Sequence, residues 1–153
     1  MNSRTLTAAT AALMLTLASP AAMAQQRPIT GGTSGGVDGR GVTASTYGAG
    51  TTDGSSLGVT GGGTATAEDG RVRTDSTARL NDRRAMQRST ASARTDDEMA
   101  RSRTRTVVRN GEDVRSRTTS MYRDRDGGPP VRESVCTRST ATGTVTTDCR
   151  GPN

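Results

Sequence analysis

Apolar side chains are sparse along this chain and cluster unevenly. Leu6 to Leu17 form an uncharged run, preceded by a short start with Arg4 and followed by Pro20 and Ala22-Met23-Ala24. A charged start, an apolar middle and a small-residue A-x-A end are the layout of a secretory signal peptide. Residues 1–24 therefore read as a signal peptide, with cleavage between Ala24 and Gln25. The run is shorter than the ~20 residues needed to span a bilayer. No second apolar stretch follows, so no integral membrane span is expected after cleavage.

Downstream, three stretches differ in pattern. Residues 25–75 are rich in Gly, Thr and Ser, and no hydrophobic period runs long enough to oppose the backbone entropy that glycine loses on ordering. They read as a disordered, low-complexity segment. The runner-up reading is a Gly-rich β segment that assembles with other copies. Residues 76–103 lose the glycines and gain helix formers, with a thin apolar stripe of Leu80, Ala85, Met86, Ala93 and Met99. Thr95 with Glu98 three residues on matches a capping box. A marginal helix over 77–101 is expected in this polar, Arg-rich segment. Residues 104–150 hold six of the ten valines that follow Gln25 and are the best candidate for ordered structure.

Two hairpins are expected there. Asn110-Gly111 is a strong two-residue hairpin signal. That loop would place Arg109 opposite Glu112 and Val107 opposite Val114. The break at Asp126-Gly127-Gly128-Pro129-Pro130 ends the first hairpin, after Tyr122. If Thr142-Gly143 forms the second loop, Ala141 pairs with Thr144 and Cys136 falls directly opposite Cys149. A non-hydrogen-bonded pair of this kind lies within disulfide range. In an exported chain with two cysteines, a Cys136–Cys149 bridge is the default.

Composition sharpens the expectation of disorder. After Gln25 the chain has ten Val, two Leu and one Ile, and no Phe or Trp. Soluble domains usually exceed ~20% Leu, Ile, Val and Phe. The expected fold class is thus a largely disordered, low-complexity chain with a small all-β, two-hairpin C-terminal region.

Every basic residue is Arg, and the charge is lopsided. Residues 25–70 hold two Arg against four acids, whereas residues 71–153 hold 18 Arg against 11. The acids are interspersed, which favours a solvated surface of mixed charge. The stretch from Arg101 to Arg109 alternates Arg with small residues. On a strand, Arg101, Arg103, Arg105 and Arg109 share one face and form candidate polyanion contacts. Glu68 to Thr74 and Glu112 to Thr118 are similar, a likeness that chance explains in so Arg- and Thr-rich a chain.

With no His and no Lys, imidazole acid–base work, His-containing triads and zinc sites, P-loop lysines and Schiff bases are closed to this chain. Bridged cysteines supply no metal site. Asp124-x-Asp126-Gly127 has only part of a calcium loop and reads as turn chemistry. Neither catalytic, cofactor-binding nor metal-binding residues are expected. The chain is read as an exported, non-enzymatic structural or interaction protein of a bacterial envelope, periplasmic or extracellular. The first alternative is an Arg-dependent binder of anionic envelope or extracellular polymers. The second is a secreted effector or inhibitor that folds on a protein partner. Intracellular nucleic acid is not an expected partner for an exported chain.

Overall fold

The computed structural model describes residues 27–149. The expected signal peptide over residues 1–24, its expected cleavage point between Ala24 and Gln25, and Arg150 lie outside the described residues.

Nine strands follow one another in chain order: β1 (Ile29–Asp38), β2 (Val42–Thr52), β3 (Leu57–Ala67), β4 (Arg71–Asn81), β5 (Arg84–Arg94), β6 (Glu98–Arg109), β7 (Asp113–Asp124), β8 (Val131–Thr140) and β9 (Gly143–Asp148). All sequential pairs within a sheet are antiparallel. They form a three-stranded sheet, β1-β2-β3, and a six-stranded sheet, β4 to β9 in order. The sheets pack face to face, with β1 over β7 and β8, β2 over β6, and β3 over β5. The outer strands of the larger sheet overhang the smaller one.

This corrects the expected fold class. Residues 25–75 are not a disordered segment: from Ile29 they form β1, β2, β3 and the start of β4. No helix covers 77–101, which instead holds the end of β4, all of β5 and the start of β6. The region 104–150 is not a separate two-hairpin unit, because its strands continue the sheet begun by β4 and β5.

The physical reason is the character of the interface. Period-2 alternation runs through the Gly- and Thr-rich segment, but its inward positions are small rather than large. β2 turns Val42, Ala44, Thr46, Gly48, Gly50 and Thr52 inward, and all are buried. β6 answers with Ala100, Ser102, Thr104, Thr106 and Val108. A Cβ placed on Gly48 would lie 2.5 Å from Thr106 Oγ1 and 2.7 Å from Thr104 Cγ2. One on Gly35 would lie 2.8 Å from Thr118 Cγ2. Glycine here lets the sheets approach more closely than side chains on both faces would allow.

Hydroxyl groups fill that narrow space. Ser120, Ser102, Thr46, Thr104, Thr118, Thr33, Ser116 and Thr106 form one continuous chain of hydrogen bonds, at 2.7–3.2 Å between successive oxygens. Each hydroxyl both donates and accepts, so a linear chain leaves few buried groups unpaired. Small apolar clusters flank it. One contains Val42, Ala44, Ala91, Ala93 and Ala100; the other contains Ile29, Ala85, Val108 and Val114. Counting only large aliphatic residues missed a core of Ala, Gly, Thr and Ser.

Turn chemistry was partly legible. The Thr95 and Glu98 pair does not cap a helix. The Thr95 N–H bonds the Glu98 carbonyl, and the Glu98 N–H donates to Thr95 Oγ1, each at 3.0 Å, closing the β5–β6 turn. At Asn110-Gly111 the loop takes three residues, Asn110, Gly111 and Glu112, with Gly111 at φ 66°. The register shifts by one: Val108, not Val107, faces Val114, and Arg109 pairs with Asp113 rather than Glu112. That slip sends Val108 into the core and Val107 outward.

The Cys136–Cys149 disulfide is present, with Cα atoms 5.4 Å apart. Its expected register is corrected. The β8–β9 loop is Ala141-Thr142, so Ala141 has no strand partner and Cys136 lies opposite Thr147. Cys149 sits just past β9, where its N–H bonds the Ser134 carbonyl. The bridge is diagonal rather than directly cross-strand.

Candidate functional site

The outward face of the six-stranded sheet follows from the same alternation that builds the core. Arg71, Arg73 and Arg79 of β4 point outward. So do Arg84, Arg88 and Arg94 of β5, and Arg101, Arg103, Arg105 and Arg109 of β6. Arg115, Arg117 and Arg123 of β7 and Arg132 and Arg138 of β8 complete the set. Fifteen of the 21 basic residues therefore share one face. Among the described residues only two acids, Asp75 and Asp113, sit among them. The interspersed acids of the sequence occupy mainly the turns, including Asp53, Asp69, Asp82, Asp96, Asp97 and Asp126. Folding thus separates charges that alternate along the chain.

The four residues singled out from sequence all lie on this face, but not in equivalent settings. Arg101, Arg103 and Arg105 occupy its middle. Arg109 lies at its end, 3.8 Å from Glu112. Near it, the buried Asp113 Oδ2 accepts from Arg115 Nε at 2.6 Å and Arg138 Nε at 3.1 Å. These are the ion pairs among the described residues, so the central arginines have no carboxylate within that range.

Sequence reasoning missed the neighbours that complete the cluster. Arg88, Arg105 and Arg117 stand directly opposite one another across β5, β6 and β7. Their signal was present in the R-x-R spacings at Arg71-Arg73 and Arg115-Arg117, but the faces become one only when the strands pair. Like charges directly opposite across strands are destabilising. Arg103 is half-buried among them. Burial, then the adjacent Arg101 and Arg88 guanidinium groups, pull its pKa below the ordinary value. Its Nε has no hydrogen-bond partner.

A groove of about 560 Å³ runs over this region, lined by Arg73, Arg88, Arg101 and Arg103 together with Asp75, Thr77, Thr90, Ser92 and Met99. Between the arginines the face offers Thr, Ser, Met and Val. Both tyrosines lie elsewhere: Tyr47 on the outer face of the small sheet, and Tyr122 at the sandwich end, where its hydroxyl donates to Glu98. The face can therefore supply many guanidinium donors but no aromatic stacking platform.

No cluster of three or more Cys, Asp or Glu among the described residues is placed to hold a metal ion. The Asp124 to Gly127 segment forms a turn, with the Asp126 N–H donating to Asp124 Oδ1 at 3.0 Å. Comparison with protein-family models, curated proteins and solved structures finds no match to this chain.

Proposed function

We propose that this is an exported, non-enzymatic binding protein whose arginine-covered sheet face holds a linear polyanion by charge. The supporting observation is the accumulation of fifteen arginines against two acids on one face. Packing the core does not require it, and the like-charge row Arg88, Arg105 and Arg117 opposes it. A bound polyanion relieves that repulsion by placing negative charge against the guanidinium groups. Guanidinium groups pair with phosphate, sulfate and carboxylate oxygens in bidentate fashion. With no aromatic groups interleaved, the face reads backbone charge rather than bases. Export would direct it to anionic envelope or extracellular polymers rather than intracellular nucleic acid. The reading of an effector that folds on a protein partner drew on expected disorder, and the nine strands remove that premise.

The test is a titration of the protein with linear polyphosphate across a salt series, with neutral dextran as control. Affinity should fall linearly with salt on a log–log plot. Changing Arg101, Arg103 and Arg105 together to Gln should reduce the slope by about 2 to 3, for three lost contacts. Salt-independent binding, or a triple variant that binds as tightly as the parent, would refute the proposal.

A further inference from the structure

We infer that β4 is a self-pairing edge, and that two copies join through it into one continuous twelve-stranded sheet. This inference does not depend on the polyanion reading.

Among the described residues β4 pairs on one side only, with β5. It is eleven residues long and exposed throughout. It contains no proline or left-handed residue of the kind that often blunts a sheet edge. Its inward side chains overhang the small sheet, leaving Val72 48% and Leu80 68% exposed.

The direction of its free backbone groups follows from the β5–β6 turn. There the Thr95 N–H bonds the Glu98 carbonyl, so odd-numbered β5 residues direct their backbone groups to β6. Even-numbered β5 residues then bond odd-numbered β4 residues. Val72, Thr74, Ser76, Ala78 and Leu80 are left with backbone groups directed to the open edge.

Charge selects the register of an antiparallel self-pair. With the two-fold axis at Thr77, Asp75 of each copy lies opposite Arg79 of the partner subunit, and Arg73 lies opposite Asn81 of the partner subunit. No like charges meet directly. Ser76 pairs with Ala78 of the partner subunit, and Thr74 with Leu80 of the partner subunit, through the free even-numbered backbone groups. A shift that centres the axis on Ser76 would instead set Arg73 against Arg79 of the partner subunit, a repulsive pair. The self-complementary arrangement closes as a two-fold dimer. It also joins the two arginine faces edge to edge.

Sedimentation velocity of the full chain without polymer, from micromolar to submillimolar concentration, reads the association. A concentration-dependent dimer is expected. Asp75→Arg should abolish it, and the exchange Asp75→Arg with Arg79→Asp should restore it. Thr77→Cys tests the axis directly, because a non-hydrogen-bonded pair sets Cα atoms ~4.5 Å apart, within disulfide range. It should form a linked dimer in a glutathione buffer, whereas Thr60→Cys on the small sheet should not. A chain monomeric at every concentration, an Asp75→Arg protein that still dimerises, or Thr77→Cys linking no better than Thr60→Cys would overturn the inference. Ala78→Pro, which removes an N–H from the open edge at a position off the arginine face, should be monomeric and still bind polyphosphate, which separates failure of the dimer from failure of the binding face.

Discussion

The outer face of the three-stranded sheet and that of the six-stranded sheet are built on one core and differ sharply in what they show to water. The small sheet presents Thr30, Ser34, Thr43, Ser45, Tyr47, Thr51, Thr60, Thr64 and Thr66, with Asp38 as the single charged side chain on its strands. The large sheet presents fifteen arginines. Both faces carry strands of ten to twelve residues over most of their width. An arginine-covered face is therefore not needed to make a strand here, since the uncharged face does as well. The inner face decides the fold, and the outer face is free to serve binding, even where like charges oppose stability.

That contrast can be broken from the inside first. Gly48→Val should have the largest effect, because its side chain would enter the space held by Thr106, Thr104 and Gln87 Oε1, all within 2.8 Å of the new Cβ. Overpacking of this kind costs about 3 kcal/mol or more, and thermal denaturation should show a large drop in Tm or loss of the cooperative transition. Gly58→Ala, whose Cβ would meet only Thr51 Cγ2 at 3.0 Å, should be far milder.

Removing the bridge with Cys136→Ser and Cys149→Ser comes next. The cysteines are 13 residues apart, and closing a loop of that size contributes about 3 kcal/mol on the chain-entropy view. The loss should appear in hydrogen exchange chiefly at β8 and β9. A uniform loss over all nine strands would mean the bridge supports the whole sandwich.

Thr104→Val probes the hydroxyl chain. Thr46 and Thr118 both bond Thr104 Oγ1, so its removal leaves two buried hydroxyls each short of a partner. Chemical denaturation should report a loss of about 1–3 kcal/mol. A neutral result would show that shape alone, not hydrogen bonding, fills the interface.

The smallest stability change, and of opposite sign, is expected outside. Arg105→Gln relieves the Arg88 and Arg117 contacts and should stabilise by a few tenths of a kcal/mol, the scale of cross-strand pairs. Its affinity for polyphosphate should fall at the same time. Stability and binding moving in opposite directions would separate the role of this face from that of the core.

A pH series sharpens the sandwich end. Glu98 accepts from the Tyr122 hydroxyl and from the Gly41 and Arg40 N–H groups, and these bonds, led by Tyr122, hold its pKa below the ordinary 4.5. Tyr122 is pushed up to about 12 from 10.0, chiefly by the same bond. A lowered carboxyl contributes stability above about pH 4.5 and loses it as pH falls through the folded value. A raised phenol contributes fully below about pH 10 and loses it as pH rises toward 12. Protection of the Gly41 amide relative to its intrinsic exchange rate should therefore be highest between these limits and fall on both sides. Glu98→Gln should flatten the acid side.

Reading the chain one residue at a time revealed some local features well. The alternation of Arg101, Arg103 and Arg105, the special turn chemistry of Asn110-Gly111, the Thr95–Glu98 interaction and the cysteine bridge were all legible. The fold kept the arginine row on one face and kept the Cys136–Cys149 pairing, but changed the setting of the turns and of the bridge. Thr95 closes a hairpin rather than a helix, the Gly111 turn keeps Glu112 as a third loop residue, and Cys136 meets Cys149 diagonally. A one-residue difference in turn length is invisible to propensity yet moves every side chain to the opposite face of a strand. The small sheet was the larger miss. Gly31, Gly35, Gly48, Gly50, Gly61 and Gly63 look like entropy without reward until another sheet lies against them.

By itself, the sequence determined the available chemistry: guanidinium but no ammonium or imidazole, two cysteines able to bridge, and side chains too small for a conventional apolar core. These are properties of composition and short spacing, which need no knowledge of what lies across the space. Only the tertiary structure decided that the small residues face one another, that hydroxyls from β1, β2, β6 and β7 satisfy one another, and that arginines from five strands gather on one side while the acids are left mainly to the turns. Those outcomes depend on residues far apart in the chain, 105 positions in the Thr137–Gly32 hydrogen bond, and hydrogen bonding and close packing over such separations exist only once both sheets are formed.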